Sequence, residues 1–225
     1  MVLVEVCTDN LADTIEAIRL GADRIELCSD LAADGLSPSM DLLREALTVG
    51  ERHGVAIFPM VRCRAGDFVY SQSEQDLMIQ QAVSFINAGA TGIVIGALDC
   101  NNRVDIEFMK RIGSEIGKID RAIDVTFHKA IDAVQILPHE RFADVVATLE
   151  PYCSRVLTSG GLSTALGGAS NIRELADRNR NPRPLAAGKI RADNAQQVVQ
   201  ACGVNEVHSR SPQVAVVLGK SKRDI

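Results

Sequence analysis

The sequence predicts a single-domain α/β protein, a closed (β/α)8 barrel that fills residues 1–225. Eight short β-branched runs alternate with amphipathic stretches of about ten to sixteen residues, and this alternation is typical of a barrel. No Ser-, Gly- or Pro-rich linker divides the chain. An open doubly wound sheet would place a glycine-rich phosphate motif straight after the first strand, but residues 6–10 contain no glycine.

The eight predicted strands are short runs that are rich in apolar and β-branched residues. They lie at residues 3–7, 24–28, 55–62, 92–98, 123–128, 155–159, 184–187 and 206–209. Successive side chains of a strand point to opposite faces, so each run has one face toward the helices and one toward the barrel lumen.

The predicted helices follow the strands and carry apolar residues at spacings of three and four, as Leu11, Ile15 and Ile18 do. Asn10 precedes the first of them as a cap residue, and Gly21 follows it as a stop signal. The predicted helices lie at residues 10–20, 39–53, 74–88, 104–117, 139–150, 163–179 and 192–202. The tail after residue 212 leaves room only for a short eighth helix.

Composition and charge exclude several classes of protein. The chain carries a net charge of -5 and has no cluster of Lys and Arg, which argues against binding to nucleic acid or an anionic membrane. No apolar run approaches the ~18–20 residues of a membrane span, and the N-terminus lacks the pattern of a signal peptide. Six cysteines without an export signal indicate reduced thiols, so we expect a cytoplasmic protein.

Two neighbouring strands carry the same lumenal residue types. Strand alternation places Glu5 and Cys7 of the first strand in the lumen, and Glu26 and Cys28 of the second. In such barrels the active end is formed by the C-terminal tips of the strands. The pattern therefore predicts two carboxylates and two thiols close together near that end.

Further polar residues follow the other strands toward the same end, and they predict an acid–base or anion-binding site. Arg62 offers a forked donor for an anionic group, and the Ser159-Gly160-Gly161 turn offers backbone N–H groups. The predicted catalytic residues are Glu5, Glu26, Arg62, His128 and Asp132, and the predicted ligand-binding residues are Ser159, Gly160 and His208.

A structural interpretation of these residues stays open beside the functional one. Glu5 and Glu26 could form a buried ion pair with Arg62, and Cys7 and Cys28 could be small buried apolar residues. Two other cysteines, Cys153 and Cys202, are expected at the opposite end of the barrel, whereas Cys63 and Cys100 are expected in loops at the site end.

Six motifs together resemble the CutC copper homeostasis family. They are, in order, GADRIELC at 21–28, GLSPS at 35–39, RCRAGDFVY at 62–70, VTFHKAID at 125–132, RVLTSG at 155–160 and EVHS at 206–209. The resemblance covers nearly the whole chain. It implies a TIM-like barrel, a cytoplasmic location, self-association and a role in copper handling, with Cys7 and Cys28 as ligands of Cu(I) and an enzyme-like site at the barrel mouth.

Three features depart from the pattern of that family. Cys63 stands where the family has proline, residues 187–190 (AGKI) stand where it has a triple glycine, and the tail after residue 211 is short. The extra thiol of Cys63 could serve as a third ligand. Lys189 could supply the charge that an anion site without the glycines would need.

Metal chemistry favours copper at the two predicted thiols. Cu(I) is soft and prefers thiolates, and strands ~4.8 Å apart can bring two sulfurs to the ~4.6 Å that a linear S–metal–S unit spans. Zinc would need four ligands, so it ranks lower. We therefore expect a Cu(I)-binding protein; the alternative is an enzyme that acts on a small anionic or oxygen-rich substrate.

Overall fold

The computed structural model describes residues 2–225, and its eight parallel strands close into a barrel in sequence order. The predicted fold class is thus confirmed. The strands are β1 Leu3–Thr8, β2 Arg24–Leu27, β3 Ala56–Val61, β4 Gly92–Ile95, β5 Asp124–Phe127, β6 Arg155–Thr158, β7 Arg183–Ala186 and β8 Glu206–Ser209. Each overlaps one predicted run.

A helix follows each strand and forms the outer layer. The helices are α1 Leu11–Arg19, α2 Met40–His53, α3 Gln72–Asn87, α4 Ile106–Ile116, α5 Phe142–Ala147, α6 Ala169–Asp177, α7 Ala195–Cys202 and α8 Gln213–Val217. Two 3-10 turns, Leu31–Ala33 and Lys129–Ala133, lie at the C-terminal ends of β2 and β5. The eighth helix is short, as the tail predicts. Among residues 2–225 no helix has the length and apolar character that crossing a membrane requires.

Side-chain caps fix several helix starts. Asn10 accepts a hydrogen bond from the Asp13 N–H at the start of α1, which the sequence predicts. Helix α3 begins before the predicted residue 74 because Ser71 and Glu74 form a capping box. Helix α5 is shorter than predicted, and its first residue follows Arg141, which provides no side-chain cap.

The main core lies between the strands and the helices. Val4 and Val6 of β1 and Ile25 and Leu27 of β2 are fully buried in it, which confirms that these residues face the helix layer. Their neighbours in sequence consequently face the lumen. The pairing register then sets the lumenal residues against one another: Glu5 lies opposite His208 of β8, and Glu26 lies opposite Cys7.

One glycine in β4 and one directly after it make room in the lumen for two large side chains. A Cβ atom on Gly92 would lie 2.4 Å from the Phe58 ring, and one on Gly96 would lie 2.7 Å from Nδ1 of His128. Both approaches are too close for any other residue. The strand therefore leaves the space that Phe58 and His128 occupy on either side of it.

Candidate functional site

A cavity of about 1110 Å³ opens at the C-terminal end of the barrel, and we call it the mouth cavity. Most of the predicted site residues reach it. Its lining includes Cys7, Glu26, Met60, Arg62, Phe68, His128, Lys129, Asp132, Lys189 and His208. Glu5 lies one layer deeper, fully buried beneath His208.

The two lumenal cysteines are in contact. Sγ of Cys7 lies 3.5 Å from Sγ of Cys28, and Met60 belongs to the same buried cluster. The sulfurs are closer than the ~4.6 Å of a linear S–metal–S unit. The hydrogen bond to Cys28, burial and the neighbouring Glu26 raise the pKa of Cys7, so its thiol is protonated at neutral pH.

His208 lies between the two lumenal glutamates. Its Nδ1 lies 2.7 Å from Oε1 of Glu5, and its Nε2 lies 3.7 Å from Oε2 of Glu26. Burial alone would raise the pKa of Glu5, but Arg24 and His208 outweigh it and hold that pKa at about 2. Glu5 is therefore an ionised acceptor, and His208 donates its Nδ1 proton to it.

Glu26 is the less stabilised of the two carboxyl groups. Burial and the nearby charge of Glu5 raise its pKa, and His208 offsets only part of this. Its Oε1 atom is buried without a hydrogen-bond partner among the residues that the structure describes. Burial would lower the pKa of His208, but Glu26 and Glu5 together raise it.

A paired charge network lies deeper in the lumen, and we call it the lower network: Glu5, Arg24, Asp124, Arg155 and Glu206. Arg24 bonds Glu5 and, at 3.0 Å, Glu206. Arg155 bonds the same oxygen of Glu206 at 2.8 Å and Asp124 at 3.0 Å. The ring of Phe58 lies beneath both guanidinium groups. The structure thus pairs Glu5 with Arg24, and not with Arg62 as the structural interpretation of the sequence expected.

Arg62 holds loops in place. Its Nη1 donates to the carbonyls of Ala33 and Gly35, and its Nη2 donates to that of Gly66. The guanidinium group also lies 5.0 Å from the centre of the Phe68 ring. Most of the fork that the sequence assigned to an anionic ligand is therefore bonded to the protein itself, and within residues 2–225 only Nε lacks a partner.

His128 is a neutral donor at the edge of the site. It caps the 3-10 turn Lys129–Ala133, where its Nδ1 accepts the N–H of Ala130 at 3.2 Å. The proton of the ring is therefore on Nε2, which is buried and has no partner in the described range 2–225. Burial and the charge of Arg62 lower its pKa to about 3, so the ring is uncharged at neutral pH.

The carboxylate of Asp132 occupies the predicted anion site at the turn after β6. It accepts the N–H groups of Ser159 and Gly161 at 2.9 Å each, and the amine of Lys129 at 2.6 Å. The N–H of Gly160 donates to the hydroxyl of Thr158. The expectation that this turn offers free N–H groups to a ligand is therefore corrected, because the protein's own carboxylate and hydroxyl take them.

The remaining cysteines lie away from the mouth cavity. Cys63 is half-buried against the outer core and Cys100 is exposed, and neither lines the cavity. Cys153 and Cys202 are buried, and that burial raises the pKa of each thiol. The four therefore provide matched controls for the two lumenal cysteines.

Comparison with known proteins places the chain in a family. The CutC family matches residues 2–213. The chain belongs to the CutC family. Two relatives named as family protein CutC support this: one from Erwinia tasmaniensis is 38% identical over 213 residues, which cover 93% of this chain and 79% of the relative. The other, from Klebsiella pneumoniae, is 39% identical over 212 residues, covering 93% and 80%.

The structure of a CutC protein from Streptococcus agalactiae, which its name assigns to copper homeostasis, has the same architecture. It superposes with a TM-score of 0.85 at 25% identity, over 94% of this chain and 100% of that one. Phosphoribosyl anthranilate isomerase from Thermococcus kodakaraensis superposes at 0.56 with 14% identity, covering 96% of each chain. That second likeness shows a shared barrel fold alone.

Proposed function

We propose that this chain is a cytoplasmic copper homeostasis protein that binds Cu(I) through Cys7 and Cys28. The observation that carries the proposal is the 3.5 Å approach of two buried sulfurs beside the mouth cavity. Membership of the CutC family and the copper homeostasis name of the Streptococcus agalactiae relative support it.

The donor set at this position fits a soft monovalent ion. Cys7 and Cys28 supply two thiols, and Met60, in the same buried cluster, supplies a thioether. Cu(I) prefers thiolate and thioether ligands over oxygen and nitrogen. Because Cys7 lines the mouth cavity, an ion can reach the sulfurs from that side. We therefore assign the ion to Cys7 and Cys28, with Met60 as a further sulfur neighbour.

Cu(I) binding must compete with protons at this site. The pKa of Cys7 is raised by Cys28, by burial and by Glu26, and the metal binds the thiolate form. Proton release therefore accompanies uptake, and the affinity should decrease as the pH falls.

The test is an anaerobic Cu(I) titration of reduced protein against a chelator of known affinity. We expect Cys7→Ser and Cys28→Ser each to weaken binding by ~100-fold or more, since each removes a ligand where an outer contact alone costs 10–100-fold. Cys153→Ser, a buried cysteine outside the site, should leave the affinity unchanged. If the double Cys7→Ser, Cys28→Ser variant binds Cu(I) as tightly as the unmodified protein, the assignment is wrong.

We also propose that residues 1–225 form one domain that self-associates. One closed barrel takes up all eight strands, which supports a single domain. Ile136, Leu137 and Leu162 are large exposed apolar side chains in loops at the mouth end, which is consistent with an interface. Sedimentation velocity at several concentrations tests this, because a monomer at all of them would contradict self-association.

A second candidate function is acid–base catalysis on a small oxygen-rich molecule in the mouth cavity. The Nε2–H of His128 and Oε1 of Glu26 favour it, because both are buried polar atoms without partners in the described part of the chain. Thermal-shift measurements with glycolate, dihydroxyacetone and dihydroxyacetone phosphate test it on copper-free protein. At least one should raise the Tm of the unmodified protein and not that of His128→Gln; no shift with any of them counts against this function.

A further inference from the structure

We infer that the lumen also holds a mixed-donor site for a divalent ion of the zinc class, formed by Cys7, Glu26 and His208. This site shares Cys7 with the proposed Cu(I) site. It does not depend on copper binding, because its other two ligands differ from those of the Cu(I) site.

The positions of the three donor atoms suit one ion. One ligand atom from each residue lies within 4.8 Å of the other two. Nε2 of His208 and Oε2 of Glu26 are 3.7 Å apart, which is too far for a hydrogen bond. Two ligands that each lie about 2.0–2.2 Å from a shared tetrahedral ion are separated by roughly 3.3–3.6 Å. The distance between Nε2 and Oε2 is therefore nearer to that of two ligands of one ion than to that of a direct hydrogen bond.

The fold holds the histidine in the orientation that ligation requires. Nδ1–H of His208 donates to Glu5 at 2.7 Å, which leaves Nε2 directed to Glu26. Metal-binding histidines in proteins ordinarily donate their second nitrogen to a carboxylate in this way. Arg24 binds Glu5 from below, so the carboxylate that orients His208 is itself fixed.

The glutamate retains an unsatisfied atom at the same place. Glu26 is only 2% exposed, and its Oε1 has no hydrogen-bond partner within the described part of the chain. A buried carboxylate oxygen without a partner is costly. Coordination of Glu26 to an ion would compensate this carboxylate.

The two proposed sites differ in the kind of ion that they suit. Cys7 with Glu26 and His208 offers sulfur, oxygen and nitrogen, a borderline set that matches Zn²⁺ or Co²⁺. A thiolate and a carboxylate also balance the charge of a divalent ion. Cys7 with Cys28 and Met60 offers sulfur alone, which selects Cu(I).

All three proposed ligands line the mouth cavity. Zinc sites with three protein ligands and one open position are typical of catalytic centres, whereas structural sites have four. An ion here would therefore be accessible to an oxygen atom of a small molecule in the cavity. The chemical class of ligand that this site would take is an oxygen donor such as water, a carboxylate or a carbonyl compound.

Co²⁺ provides the direct test, because tetrahedral cobalt–thiolate sites absorb light at visible and near-ultraviolet wavelengths. Copper-free reduced protein is titrated with Co²⁺ and then with Zn²⁺, which should displace the cobalt. We expect a sulfur-to-cobalt charge-transfer band that is lost in Cys7→Ser. Glu26→Gln and His208→Gln should each weaken cobalt binding by ~10–100-fold or more.

Cys28→Ser separates this inference from the proposed copper function. It should retain the cobalt–thiolate band and lose tight Cu(I) binding, whereas Cys153→Ser should retain both. Circular dichroism and the Tm of each copper-free variant establish that it is folded. If Cys28→Ser loses cobalt as completely as Cys7→Ser, or if folded Glu26→Gln and His208→Gln both bind cobalt as tightly as the unmodified protein, the mixed-donor site is wrong.

Discussion

The lower network and the mouth cavity are both lined by buried polar side chains, but they differ in how those side chains are satisfied. In the lower network each buried arginine meets carboxylates, as Arg24 meets Glu5 and Glu206. At the mouth, Glu26 and His128 are as deeply buried, but each has a polar atom without a partner anywhere in residues 2–225.

This difference separates residues that hold the barrel together from residues that are available to a ligand. A buried charge that has lost its partner is strongly unfavourable, so the pairing of the lower network is a requirement of folding. Unpaired polar atoms at the mouth also lower stability. Natural proteins retain such atoms mainly where a functional site needs them.

The largest effect should follow from removing a charge of the lower network. Arg24→Met leaves Glu5 and Glu206 buried with one positive partner fewer, so we expect a loss of roughly 3–5 kcal/mol in the free energy of unfolding. Chemical denaturation measures it. Arg19→Met is the matched control, because Arg19 pairs with Glu16 on the exposed surface of α1 and such solvent-screened pairs contribute little to stability. Equal losses in the two variants would contradict the structural role of the network.

The next largest effect is the pH dependence of stability that arises from His128 at the mouth cavity. The pKa of His128 is about 3 in the folded protein, against the ordinary 6.5 of an unfolded chain. Between these values the unfolded state binds more protons, so stability is complete above pH 6.5 and decreases as the pH falls toward 3. The free energy of unfolding decreases by about 1.4 kcal/mol per pH unit in this range, which is a loss of roughly 2 kcal/mol at pH 5.

His128→Gln tests this contribution because glutamine keeps an N–H donor and does not titrate. The difference in unfolding free energy between the unmodified protein and the variant should change by roughly 2 kcal/mol from about pH 7.5 to about pH 5. Other groups titrate in both proteins and cancel in that difference. His139→Gln, at an exposed histidine, controls for the substitution itself. Parallel stability curves for His128→Gln and the unmodified protein would show that burial does not suppress protonation of His128.

The fold and the lumenal faces of β1 and β2 could be predicted because they follow from strand periodicity. Alternation alone places Glu5, Cys7, Glu26 and Cys28 inside a closed barrel. The same rule applies to Arg24, which shares the parity of Glu26 and was missed as a partner of Glu5. The position of Arg24 at the start of β2 indicated a lumenal side chain, whereas its residue type did not.

Contacts between distant loops could not be read from periodicity. Asp132 reaches the turn at Ser159 only because the barrel places the ends of β5 and β6 side by side. Arg62 is likewise tied to carbonyls of the loop after β2, such as that of Gly35. The sequence shows that the N–H groups of the turn can bind an anion and that Arg62 can donate to an anion or a carbonyl. The tertiary structure decides which partner each of them meets.

The smallest effects are expected at two buried threonines, Thr126 of β5 and Thr158 of β6, and they sharpen the comparison most directly. Both are fully buried, but the hydroxyl of Thr126 has no partner among the described residues. That of Thr158 donates to Asp132 at 2.5 Å and accepts the N–H of Gly160 at 2.8 Å. Valine has nearly the shape of threonine, so substitution isolates the hydroxyl.

Thr158→Val should lower the free energy of unfolding by about 1–3 kcal/mol, because it leaves the Gly160 N–H without an acceptor in a buried position. Thr126→Val should leave that free energy unchanged or raise it by up to ~1 kcal/mol, because it removes a buried hydroxyl that has no bond to lose. Urea denaturation at neutral pH resolves the two. If Thr126→Val destabilises the barrel as much as Thr158→Val, then the Thr126 hydroxyl is bonded in solution, and the contrast between satisfied and unsatisfied polar groups does not extend to β5.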